Sequence, residues 1–129
     1  MNKETLKEKY IRYELTKDDV FKHQNYIIIT RQGIEKIQAL ENIHIKFDVI
    51  KCEPNFAVVK ATAFKDENTI QTFASALRGE TWKDGNTNSW YVIEMAEKRC
   101  LSRAVLKLTG FYELGVFGED EAEDFKRKQ

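Results

Sequence analysis

Residues 44 to 77 hold three consecutive runs that read as strands, separated by breaks too short to let them do anything but fold back on one another. His44 to Cys52 alternates Ile45, Phe47 and Val49 against mostly polar neighbours. Phe56 to Phe64 reads Phe-Ala-Val-Val-Lys-Ala-Thr-Ala-Phe, and Thr69 to Leu77 alternates Ile70, Thr72, Ala74 and Ala76 against Gln71, Phe73, Ser75 and Leu77. Glu53-Pro54-Asn55 and Asp66-Glu67-Asn68 are turn formers, so the three runs predict an antiparallel meander. One face of such a sheet must be covered, and the obvious cover is the long helical pattern over residues 90 to 109.

Upstream, residues 3 to 13 suit a short charged helix, and Thr16 before Lys-Asp-Asp reads as the N-cap of a second one. Tyr26-Ile-Ile-Ile29 is a short β-branched run, read as a buried strand. Thr30 can cap an amphipathic helix over 31 to 42, with Ile34, Ile37 and Leu40 on one face. Arg78 to Ser89 is polar and turn-rich, an exposed loop with Trp82 stranded in it. With 129 residues, 42% of them hydrophobic, the chain is long enough for one core. A single Pro and six Gly leave no linker. The expected organisation is α+β: a meander of three or four strands on one long helix, with short N-terminal helices and an acidic C-terminal helix. Residues 1–24 form an N-terminal helical arm, 25–110 the core and 111–129 an acidic tail.

No apolar run approaches the roughly 20 residues that span a bilayer, and the charged start MNKETLKEKY does not read as a signal peptide. A cytoplasmic protein without a membrane partner is expected. Cys52 and Cys100 both lie in apolar-patterned segments and are expected to be buried free thiols.

The chain carries 21 basic and 21 acidic side chains, so it has no broad electropositive footprint. Glu119, Asp120, Glu121, Glu123 and Asp124 crowd its end. Without residues 119 to 129 the balance is 18 basic to 16 acidic, so any nucleic-acid affinity has to come from local clustering.

On a helical wheel, Ile93, Cys100, Leu101, Ala104, Val105 and Leu108 gather on the side expected to meet the sheet. Arg99, Arg103 and Lys107, spaced i, i+4, i+8, line up on roughly the opposite side. Like charges four residues apart repel by roughly 0.2–0.5 kcal/mol per pair, so helix stability does not favour this row. It is either a solvated face, the commoner case, or a cationic track whose spacing of about 6 Å loosely suits the phosphates of an extended strand. Glu97 can pair with a neighbouring cation and make part of the row structural. Trp82 and Trp90 flank the preceding loop, and single-stranded nucleic acid stacks on aromatic rings beside cations, although a lone Trp is more often core. Met95 and Leu106, on a flank away from the sheet, suit either a subunit contact or packing under the N-terminal helices.

Metal and catalytic chemistry find little support. His23 and His44 are the only histidines, and no Cys or His pair has ligand spacing. There is neither a nucleophile elbow nor a Walker-type phosphate loop. Glu94, Glu97 and the 119–124 cluster are the only carboxylates that suggest a Mg²⁺-dependent nuclease, and acidic tails are usually solvated. No cofactor, metal site or catalytic residue is expected.

The segment Tyr91-Val-Ile-Glu-Met-Ala-Glu-Lys-Arg-Cys-Leu-Ser-Arg-Ala-Val-Leu-Lys-Leu-Thr-Gly110 resembles the helix of phage-type single-strand annealing proteins. In these a Met-Ala-Glu-Lys/Thr-Arg core precedes an Arg and an apolar tail. It is more distantly similar to the eukaryotic recombination mediator Rad-fifty-two, which shares the meander-then-helix order. Gly118-Glu-Asp-Glu-Ala-Glu-Asp-Phe125 also resembles the tail of the phage proteins. The resemblance covers residues 44 to 125 in element order and 91 to 125 in residues.

That resemblance implies a non-enzymatic, ATP-independent protein that binds single-stranded DNA and anneals complementary strands in phage-type homologous recombination and repair. It implies a homo-oligomeric ring or filament in a bacterial host cell, encoded by a phage or mobile element, with a single-strand-binding protein or an exonuclease as candidate partners. Carried over by position, Arg99, Arg103 and Lys107 face the DNA backbone and Lys98 sits at the groove edge. Arg78 and Lys83, with Trp82 between them, are candidates for the opposite wall by placement alone. On this reading Arg99→Ala with Arg103→Ala abolishes oligonucleotide binding and leaves the fold intact. The chain is neutral and short beside such proteins, and assembly compensates by repeating one small cationic stripe. The alternative is a non-catalytic interaction module, an adaptor or inhibitor, with the same fold and no DNA binding.

Overall fold

A computed structural model describes residues 5–81 and 83–122. The meander forms as its pattern requires: β3 (His44–Cys52), β4 (Phe56–Lys65) and β5 (Asn68–Leu77) pair antiparallel in that order. Chain order assigns the earlier labels to α1 (Leu6–Arg12), β1 (Val20–His23), β2 (Tyr26–Ile29) and α2 (Arg31–Leu40). The long helix is α3 (Val92–Leu108), and β6 (Val116–Gly118) follows it.

Small residues let α3 approach the meander closely. Ala57, Ala61, Ala74 and Ala76 on the sheet pack with Val92, Ala96 and Cys100 of the helix, all buried. Thr72 is buried among them and donates its hydroxyl to Cys100 O at 2.8 Å, which satisfies the one polar group on that face.

The first quarter of the chain differs from the expectation at Thr16. No helix opens there. The Asp19 carboxylate instead accepts the Thr16 N–H at 2.9 Å and its hydroxyl at 3.2 Å, closing a turn. The same local bonds that start a helix end in a strand here, because Val20 and Phe21 favour extended backbone. β1 then makes a hairpin with β2, and β6 adds parallel to β2 with Ile28 opposite Phe117. Of this second three-stranded sheet, β1-β2-β6, the sequence announces only β2, the Tyr26–Ile29 run; β1 and β6, four and three residues long, are too short to show a period.

Residues beyond 110 therefore join the core. Phe111 and Val116 are fully buried with Tyr13, Ile29, Ile34, Ile37 and Leu106. Leu106 packs inside this cluster, under the N-terminal elements, and is not available as a subunit contact. Gly118 lies so close to α3 that a Cβ there would sit 2.7 Å from Cβ of Ser102. Lys9 of α1 reaches the other end of the helix, donating to Thr109 O at 2.6 Å, where a cation complements the α3 C-terminus. α3 is thus buried on two sides, against the meander and against β6 and α2. Among the described residues, no helix is long and apolar enough to cross a membrane.

Candidate nucleic-acid interface

β5 is an edge strand, and an unpaired strand edge invites non-native pairing unless it is blocked. Its outward carbonyls are met by arginines of α3. Arg103 donates from NH1 to Phe73 O at 2.6 Å, and Arg99 from NH1 to Ser75 O at 3.0 Å. Asn86 completes the block: its side-chain amide donates to Ser75 O, and its side-chain oxygen accepts the Leu77 N–H at 2.8 Å.

Arg99 is only 3% exposed. It also donates from NH2 to Asn86 O at 2.9 Å and from Nε to Asp120 O at 3.2 Å. One guanidinium therefore ties the β5 edge, the loop before α3 and the C-terminal segment together. The wheel placed Arg99 on an outer face, and the structure corrects this: that side of α3 is covered by the residues that follow β6. As a tie between three backbone segments it presents no free face to a polyanion.

Arg103 sits at the margin of the same tie, with 29% of its side chain exposed. Its Nε and NH2 donate to the two carboxylate oxygens of Glu121 at 3.2 and 3.4 Å, a forked pairing of the kind guanidinium makes with carboxylate or phosphate. Burial alone would lower the Arg103 pKa; hydrogen bonding and charge from Glu121 outweigh it and raise it further. Arg103 is a permanent cation.

A cavity of about 240 Å³ opens here, lined by Val58, Phe73, Ser75 and Asn86 as well as by Arg99, Arg103 and Glu121. Lys107, one turn further along α3, is exposed, with its ammonium 5.2 Å from the Tyr112 ring. Lys98 lies elsewhere, in a second cavity beside Arg31, Glu35 and Glu97. The predicted stripe is thus divided into a buried tie, a partly exposed fork and an exposed lysine, and Lys98, expected at its edge, lines a different cavity.

The loop candidates separate in the same way. Arg78 stacks on Trp90, its guanidinium carbon 3.6 Å from the ring centroid, and pairs with Glu80 at 3.2 Å. Trp90 is 64% exposed and Tyr91 beside it 70%, so the helix begins at an open aromatic step. Lys83 is exposed in the turn closed by Thr81 and Asp84. Trp82 lies outside the described residues.

The acidic segment is docked where it is described. Glu119 accepts the Arg31 N–H in the first turn of α2 at 3.0 Å, Asp120 accepts from the Arg31 guanidinium at 3.1 Å, and Glu121 holds Arg103. Sequence reasoning missed Glu121, Asn86 and Phe73 as parts of this site. Their partners are 9 to 30 residues away at no periodic spacing, so no pattern announces them. Among the described residues, no group of three His, Cys, Asp or Glu side chains is placed to hold a metal ion. Comparison of the chain with protein-family models, curated proteins and solved structures finds no match.

Proposed function

We propose that the protein binds single-stranded DNA without sequence preference and pairs complementary strands without ATP, working as an oligomer. The observation that carries this reading is the Arg103 fork at the mouth of the cleft. A guanidinium edge is presented there to an oxyanion, beside an exposed aromatic side chain, Phe73 at 53%. Phosphate suits the same fork as the carboxylate now on it, and Phe73 is a surface on which a base can stack. Exposed Lys107 continues the cationic line, and the resemblance of the α3 sequence to annealing proteins points the same way. No group in the cleft needs to do covalent chemistry, because base pairing itself tests complementarity.

Assembly has its own support. β3 is the other edge of the meander, and it leaves Val49 and Ile50 at 59% and 57% exposure beside a register shift. An open edge with two exposed β-branched residues is suited to another copy of the chain.

Fluorescence anisotropy of a labelled thirty-nucleotide oligo-dT, with a strand-annealing assay and light scattering alongside, tests the proposal. Binding that weakens steeply with salt, annealing without nucleotide, and a mass of several chains are expected. Arg103→Ala should weaken binding about ten-fold. Salt-independent or absent binding by the unmodified protein overturns the proposal.

A further inference from the structure

The meander has a second face, turned away from α3. Alternation sends Ala57, Val59, Ala61 and Ala63 of β4 inward, and Val58, Lys60, Thr62 and Phe64 outward. β5 likewise turns Gln71, Phe73, Ser75 and Leu77 outward. Among the described residues no helix or strand buries this face: Phe64, Phe73 and Leu77 are 41%, 53% and 39% exposed. Outward positions of a half-buried sheet are ordinarily polar, so exposed Phe64 and Phe73 call for a reason.

Charge points to the occupant. The chain as a whole has as many acids as bases, yet the outward positions of the three strands hold Lys46, Lys51 and Lys60 against Asp48 alone. Lys51 pairs with Glu53 at 3.8 Å. Lys46 and Lys60 make no ion pair among the described residues. The ladder sets Lys60 between Asp48 and Phe73, Lys46 beside Thr62, and His44 beside Phe64. One cation, Lys60, thus lies directly beside an aromatic ring on an open sheet, with Lys46 and Phe64 on the same face, the combination that holds backbone and bases of a single strand together.

The face is also continuous with the Arg103 cleft. Val58, Phe73 and Ser75 hold outward positions, and the same three residues line the cavity with Arg103. Neighbouring strands are about 4.8 Å apart, so Arg103, Phe73 and Lys60 follow one another across the β5 edge.

We infer that the outward face of β3-β4-β5 is a stacking platform for single-stranded DNA, which runs from the Arg103 fork over Phe73 to Lys60 and Lys46. This rests on the proposed DNA binding and extends it to a surface that no part of the α3 sequence indicates. Bases stack on Phe73 and Phe64 while the two lysines neutralise phosphates. The annealing consequence is geometric: a strand spread over an open sheet keeps its pairing edges accessible to a second strand.

Three variants of the full chain test it by oligo-dT anisotropy between 50 and 200 mM salt, with circular dichroism to confirm folding. Lys46→Ala with Lys60→Ala should weaken binding about ten-fold and make the salt slope shallower by roughly 1.4, the value for two single-strand phosphate contacts. Phe73→Ala should weaken binding by about ten-fold or more. Phe73→Trp should restore it, and its fluorescence should respond to added oligonucleotide. If Arg103→Ala loses binding while the face variants bind normally, the platform is overturned and the function proposal stands. If the unmodified protein does not bind, both fall. If the face variants change only the assembled mass in light scattering, the face is a contact between copies and the inference fails.

Discussion

Arg103 and Glu121 form a two-pronged ion pair, Nε to Oε1 at 3.2 Å and NH2 to Oε2 at 3.4 Å, which places a carboxylate of the chain where a phosphate would sit. Any incoming oxyanion has to displace it. Glu121→Gln should therefore raise oligo-dT affinity several-fold at low salt, and the gain should shrink as salt screens both competitors. A loss of affinity would instead show that Glu121 positions the fork.

Arg99 is expected to behave as a structural residue. Arg99→Ala strips a donor from Ser75 O, Asn86 O and Asp120 O at once; Ser75 O keeps the Asn86 amide, and a buried acceptor left without a partner costs about 1–3 kcal/mol. Urea denaturation should show a loss of about 3 kcal/mol or more, against about 1 kcal/mol for the partly exposed Arg103→Ala. The double Arg99/Arg103 substitution is therefore not a clean test of binding, and Arg103→Ala alone is. An Arg99→Ala protein of native stability would refute the tie.

Acid should destabilise the fold in a narrow window. Burial pushes the Asp19 carboxyl up, but the Lys36 ammonium at 2.7 Å and the Thr16 bonds outweigh it, so its pKa lies below the ordinary 3.8. Glu41 is likewise drawn below 4.5: the Tyr13 hydroxyl, Lys65 and Arg12 outweigh its burial. Groups with depressed folded-state values contribute stability above their unfolded pKa and lose it as pH falls through the folded one. Stability should thus be level above about pH 5 and fall below about pH 4.5. Lys36→Met should cost on the order of 2 kcal/mol at neutral pH and shrink the difference between pH 7 and pH 4, as read by thermal melts.

The two thiols should react very differently. Burial pushes the Cys100 thiol up to about 11, whereas Cys52 is exposed, contrary to the expectation that both are buried. A thiol-specific reagent at pH 8 should modify one cysteine quickly and the second only in denaturant. Two fast thiols would mean that α3 separates readily from the meander.

The meander, α2 and α3 were legible because each is long enough for its period to emerge, 9 or 10 residues for the strands and 17 for α3. β1, β2 and β6 are three or four residues each, and only the Ile27-Ile28-Ile29 run announced a strand. The candidate site was less legible than the fold. A wheel assumes one buried side, and α3 has two, so Arg99 fell on an apparently open arc that residues 119 to 121 cover. Cys52 misled for a related reason: it alternates like a core residue, but at the edge of the sheet α3 does not reach it. The outward Phe64 and Phe73 broke the expected alternation in plain view, and their meaning depended on the neighbours that the ladder supplies, Lys60 beside Phe73 and His44 beside Phe64.

The parallel pairing of β2 with β6 has a consequence for how the molecule comes into being. Ile28 and Phe117 are partners across 89 positions of chain. Until residue 118 has been made, β2 has hydrogen-bonding capacity on one side with nothing to receive it, and Ile28 and Ile29 lack the neighbours that enclose them. Local structure in the first half can form early, but closing this sheet waits for distant contacts, which slows folding. The newborn chain carries an unfinished sheet until β6 has been synthesised, and that interval is when it is most open to self-association.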